Sequence, residues 1–99
     1  MYATIRIYTA APDLADQLAA RVGEVEELIS SVPGFQAYYL LRTDGGCTTI
    51  SVFDNPSGAE ESSRRAAEYL REHAGEIQSN PPVITTGEVI VSFGATARV

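Results

Sequence analysis

"SVPGFQAYYLLRTDGGCTTISVFDN", residues 31–55, is the stretch whose reading decides the fold. Two runs rich in aromatic and β-branched residues flank Thr43-Asp44-Gly45-Gly46, a turn signal that calls for positive φ, so the stretch is expected to form a β-hairpin. Alternation places Phe35, Ala37, Tyr39 and Leu41 on one side of the first run, with Tyr38 and Leu40 on the other. In the second run Ile50 and Val52 oppose Cys47, Thr49, Ser51 and Phe53. Both strands therefore present apolar or aromatic groups on two faces. An antiparallel sheet with one wet side alternates more cleanly.

Working outward, "YATIRIYT" (2–9) has period two, with Ala3, Ile5 and Ile7 opposite Tyr2, Thr4, Arg6 and Tyr8. Residues 12–32 repeat apolar positions at three- and four-residue steps, from Leu14 to Val32, and stop at Pro33-Gly34, which predicts one amphipathic helix. Residues 55–77 predict a second helix, opened by a Ser57-x-x-Glu60 capping box and buried along Ala59, Ala66, Leu70 and Ile77. A fourth strand is expected over 85–93. The order β-α-β-β-α-β implies an α+β, ferredoxin-like domain: a four-stranded antiparallel sheet with both helices on one face. One domain spans 1–93, and 94–99 is expected to be a flexible tail. The other sheet face then needs a cover, and a second copy of the chain supplies one through a face-to-face homodimer.

The net charge of −6, from 13 acidic and 7 basic residues, argues against a nucleic-acid partner or an anionic membrane surface. No apolar run approaches the ~20 residues of a membrane span, and no signal peptide is expected. The single cysteine, Cys47, forms no internal disulfide, and a cytoplasmic location is expected.

"SVPGFQAYYLLRT", "TTISVFDNPSGAEESSRRAAEYL" and "PPVITTGEVIV" together resemble the dimeric α/β-barrel proteins related to antibiotic-biosynthesis monooxygenases, over nearly the whole chain. The resemblance implies that fold and a dimer. It also implies a cofactor-independent monooxygenase-like activity on a small aromatic or polyketide-type molecule. The alternative is a non-catalytic, dimeric ligand-binding or stress-associated protein; a haem-binding or haem-degrading role is more remote. In oxygenase relatives a pocket of Asn, Trp, Tyr and Arg holds a phenol-like substrate, and the counterparts offered here are Arg6, Tyr8, Tyr38, Tyr39 and Tyr69. The chain has no tryptophan, and strand one lacks the asparagine that haem-degrading relatives use beside a helix histidine.

Three residues are candidates for chemistry: His73, Tyr69 and Arg6. His73, the only histidine, reads either as a base or haem ligand facing the pocket, or as a helix-end imidazole capping carbonyls. A tyrosine or arginine beside a deprotonating phenol stabilises its anion, although tyrosines in strands also serve as packing. Arg6 reads either as the partner of Glu88 on a neighbouring strand or as an anion-binding group. Tyr8, Tyr38, Tyr39, Phe53 and Glu88 are the expected pocket residues. No cofactor and no metal site are expected, since no ligand cluster or phosphate loop occurs.

Overall fold

The computed structural model of the chain describes residues 1–94. Its elements are β1 (Tyr2–Tyr8), α1 (Leu14–Ala19), α2 (Val22–Ser30), β2 (Phe35–Thr43), β3 (Gly46–Phe53), α3 (Pro56–Glu72) and β4 (Val83–Glu88). The four strands form one antiparallel sheet in the order β2-β3-β1-β4. This is the expected ferredoxin-like arrangement, with β1 and β3 central. Residues 95–99, most of the expected tail, lie outside the described residues.

The hairpin closes where the sequence signals it. Gly45 takes φ +74°, and a Cβ on Gly46 would stand 2.0 Å from the carbonyl oxygen of Tyr8. The first glycine supplies the turn conformation; the second lets the turn pass against β1.

Four expectations about the elements need correction. The first helix is two helices, because Arg21 leaves helical geometry at φ −114°, ψ 29°, and its N–H returns to the carbonyl of Leu18 at 3.0 Å. The change of direction keeps Leu14, Leu18, Val25 and Ile29 on the core and turns Val22 out to solvent. The second long helix starts at Asn55-Pro56, not at Ser57. Asn55 Oδ1 accepts from the Gly58 N–H at 2.9 Å, and Pro56 occupies the first turn, where its missing N–H costs nothing. The helix ends at Glu72, so Ile77 is buried from a following turn rather than from the helix itself.

The third correction is strand four, which spans 83–88 instead of 85–93. The Val89 N–H donates to the Met1 carbonyl at 2.8 Å, just past the end of the strand. Ile90, Val91 and Phe93 are left exposed. The fourth is a register shift in β2 between Phe35 and Ala37. The irregularity at Gln36 moves Phe35 to the helix side, where it packs edge-on against Phe53 at 5.9 Å, while Ala37, Tyr39 and Leu41 stay on the other face.

The two sheet faces are the reverse of a simple amphipathic sheet. The helix side carries Thr4, Arg6, Thr49 and Ser51, all buried, among Tyr8, Cys47 and Phe53. The uncovered side carries Ile5, Ile7, Ile50, Val52, Tyr39 and Leu41. Apolar groups thus face outward, and a set of polar groups is enclosed.

Candidate functional site

Arg6 stands mid-strand in β1 on the helix side and is 2% exposed. Its guanidinium donates to Ser51 Oγ on β3 at 2.9 Å, and to Ser63 Oγ and Ser62 Oγ on α3 at 2.9 and 3.4 Å. Glu88 is not its partner. The β1–β4 register sets Ile84 opposite Arg6 and Glu88 opposite Tyr2, and Glu88 is exposed. Among the described residues, ion pairs form at Arg21, Arg42, Arg64 and Arg65 and none at Arg6. A buried cation therefore rests on neutral hydroxyls alone. Such a charge ordinarily carries a large desolvation cost unless an anion faces it.

The guanidinium borders a small cavity of about 30 Å³ between the sheet and helices α2 and α3. Tyr8, Tyr38, Thr49 and Tyr69 supply its other polar walls, and Leu18, Val25 and Leu28 are among its apolar ones. Arg6 Nε and Thr49 Oγ1 are both buried without a hydrogen-bond partner. Burial pulls the Arg6 guanidinium below its ordinary value, an effect that Tyr8 and Tyr38 partly oppose. Burial pushes Tyr8 up, with Arg6 opposing, and pushes Tyr38 up to about 12. Both phenols stay protonated near neutrality and so carry an O–H able to donate.

Tyr69 closes one side of the cavity. Its ring is buried and its hydroxyl donates to Glu24 Oε1 at 2.6 Å, so burial first, and then this bond, push its pKa up. Arg65 holds α3 to the end of α2 by donating to the Leu28 carbonyl at 3.0 Å and Ser31 Oγ at 2.8 Å. A groove of about 290 Å³ between α2 and β2 lies beside the cavity and shares Val25, Ile29 and Tyr38 with it. Those three side chains stand between the small space at Arg6 and the larger groove.

Of the residues expected in the pocket, the structure brings Arg6, Tyr8, Tyr38 and Tyr69 together around the cavity. Tyr39 stands on the opposite sheet face, 57% exposed. Phe53 is enclosed in the core against Phe35 and does not border the cavity. His73 sits at the C-cap of α3, where Nδ1 lies 2.8 Å from the Tyr69 carbonyl and the ring stacks on that of Tyr69 at 4.2 Å. Cys47 is fully buried, which pushes its thiol up to about 11 and away from nucleophilic use. Ser51, Ser62, Ser63 and Thr49 are the site residues that sequence reasoning missed. Ser62 carried a signal: it falls three residues after Ala59 and four before Ala66, on the buried stripe of α3.

Similar architectures occur in solved structures. A mutant of MhuD, a haem degrader of Mycobacterium tuberculosis, with two manganese protoporphyrins in each active site matches with TM-score 0.74 and 14% identity, over 96% of this chain and 100% of that one. A protein from Bordetella bronchiseptica described as an antibiotic biosynthesis monooxygenase matches at 0.67 and 16%, over 91% and 97%. The fold is that of the antibiotic-biosynthesis-monooxygenase-like proteins. The ActVA-Orf6 monooxygenase of Streptomyces coelicolor, in complex with nanaomycin D, matches at 0.64 and 20%, over 96% and 91%. No protein-family model and no curated protein matches the sequence.

The haem seen in MhuD does not suit the residues present here. The lone histidine is engaged at a helix end, outside both the cavity and the groove, and the cavity is far smaller than a macrocycle. Among the described residues no group of three His, Cys, Asp or Glu is placed to hold a metal ion.

Proposed function

We propose that the sheet–helix site binds the ionised oxygen of a small aromatic or polyketide-type molecule, and that the protein works as a monooxygenase-like enzyme on it. The observation that carries this reading is the buried Arg6 guanidinium with hydroxyl partners and no carboxylate. A phenolate or enolate oxygen supplies the missing charge, and the protonated Tyr8 and Tyr38 hydroxyls are further donors. The ring occupies the apolar groove beside Phe35, Val25 and Ile29, with its oxygen reaching Arg6 past Tyr38. Holding the anion in a dry site keeps the substrate deprotonated. The electron-rich carbon then reduces O₂ and forms a C–O bond as a hydroperoxide. Loss of water leaves a carbonyl, so CH₂ plus O₂ gives C=O plus H₂O. The nanaomycin D bound in the ActVA-Orf6 structure supports this substrate class by analogy of fold.

The smallness of the cavity favours a second reading, a ligand-binding protein that holds the same anion without turnover. Oxygen uptake with anthrone- or hydroquinone-type compounds separates the two. Uptake abolished by Arg6→Met supports the enzyme; tight binding with no uptake supports the binder. Neither binding nor uptake overturns both.

The working unit we propose is a homodimer through the open sheet face. Ile7 (43% exposed), Tyr39 and Leu41 make that face an apolar surface that a second copy would cover. Among the described residues no helix is long and apolar enough to cross a membrane. The buried, unpaired Cys47 accords with a reducing compartment, and we place the protein in the cytoplasm.

A further inference from the structure

We propose that the Arg6 cavity is, in the absence of substrate, a binding site for one small monovalent anion of halide size. The proposal rests on the same cavity as the oxyanion reading but not on any catalysis. Three observations converge on it. First, two residues that line the space carry buried polar atoms without partners: Arg6 Nε, which can only donate, and Thr49 Oγ1, whose hydroxyl is free to donate. Arg6 and Thr49 are 2% and 3% exposed. Second, the remaining Arg6 nitrogens already donate to Ser51, Ser62 and Ser63, so neutral oxygens meet the hydrogen-bond demand there and leave the charge uncompensated. A water molecule in the cavity would accept from Nε but would leave the cation unpaired in a low-dielectric interior, where an opposite charge is strongly preferred.

Third, size selects the occupant. A space of about 30 Å³ holds a monatomic ion or one to two waters, and excludes tetrahedral oxyanions and carboxylates with a substituent. Leu18, Val25, Leu28, Ile29, Ala66 and Leu70 supply its apolar lining, which suits a weakly hydrated anion such as bromide or chloride over a strongly hydrated one. The substrate's oxygen would displace this ion, so the resting site stays neutralised between ligands.

Thermal unfolding in bromide, chloride and sulfate at constant ionic strength tests the proposal, together with diffraction at the bromine absorption edge from crystals grown in bromide. Bromide and chloride are expected to raise Tm along a saturating curve while sulfate does not. An anomalous peak is expected within contact distance of Arg6 Nε and Thr49 Oγ1. Thr49→Val, which keeps the charge and the packing volume, is expected to weaken halide binding about tenfold. Arg6→Met is expected to abolish it. A linear salt response equal for all three anions, or an empty or water-filled cavity in the bromide crystals, overturns the proposal. Loss of the halide effect with phenol binding intact would sink the resting anion alone. Halide binding with no phenol bound would sink the oxyanion reading instead.

Discussion

Arg6 on β1 donates to Ser63 on α3 at 2.9 Å, and this bond ties the central strand to the long helix without any carboxylate in between. The cation is thus built into the domain by neutral groups, at a cost that a purely structural role does not explain. Arg6→Met separates structure from function. An apolar side chain of similar length removes the desolvation cost of a buried charge that no carboxylate offsets. Arg6→Met is therefore expected to melt at or above the wild-type temperature in low-anion buffer, while its affinity for an ionised phenol falls at least tenfold. A variant that unfolds, or that binds phenols as wild type does, contradicts this account of Arg6.

The outward apolar face predicts the oligomer. Wild type should scatter light as a particle of twice the 10.6 kDa chain mass. Ile7→Glu places two like charges close together across a two-fold interface, where they repel and lose hydration. The expected outcome is a folded monomer with unchanged far-UV circular dichroism. A wild-type monomer at micromolar concentration would remove the dimer from the proposal.

How far the fold could be read in advance depended on which physical signal each element carried. Hairpin, strand order and helix side follow from local alternation and turn chemistry, and the structure matches them. Phe35 was assigned to the wrong face because a bulge at Gln36 leaves no mark on period-two alternation. The break at Ala20-Arg21 was equally silent, since no proline or glycine marks it and only packing against the sheet demands the turn. Strand four spans 83–88 instead of 85–93 because its bounds follow from its register with β1, a non-local fact. At the site, alternation puts Arg6 and Tyr8 on one face of β1 but leaves open which of Tyr38 and Tyr39 joins them. Of the hydroxyl neighbours only Ser62 carries a periodic signal; Ser51, Ser63 and Thr49 carry none, because a small hydroxyl residue reads the same whether it faces water or a buried cation.

The bulge at Gln36 has an energetic test. Phe53 is fully buried and its ring meets that of Phe35 edge-on. Phe53→Ala is expected to lose about 3–5 kcal/mol in urea unfolding, as for other large core truncations. Phe35→Ala should lose less, since Phe35 is only half-buried, and the double variant should lose less than the sum. Full additivity would mean that the two rings do not support each other.

His73 predicts a negative result at the site. With Nδ1 at the Tyr69 carbonyl and the ring outside the cavity, the imidazole finishes α3 and touches no proposed ligand. His73→Ala is expected to cost up to about 1 kcal/mol of stability, in line with a lost helix-end contact. Phenol affinity and oxygen uptake should stay within twofold of wild type. A large loss of turnover in that variant would return His73 to the chemistry.

The buried phenols set an alkaline limit on stability. Tyr38 rises from an ordinary 10.0 to about 12 on folding, chiefly through burial. Its folded form holds the proton more tightly than the unfolded chain does, so its contribution is fully present below pH 10.0 and is lost as pH climbs toward about 12. Unfolding free energy should therefore fall across that window, and Tyr38→Phe should flatten the slope there. Tyr8, shifted upward by the same cause, leaves part of the slope in place. Absorbance near the tyrosinate band should show Tyr38 ionising only as the protein unfolds. If Tyr38 instead titrates freely in the folded protein near its ordinary value, the hydroxyl is reached by solvent and the site is not dry enough to hold an oxyanion as proposed.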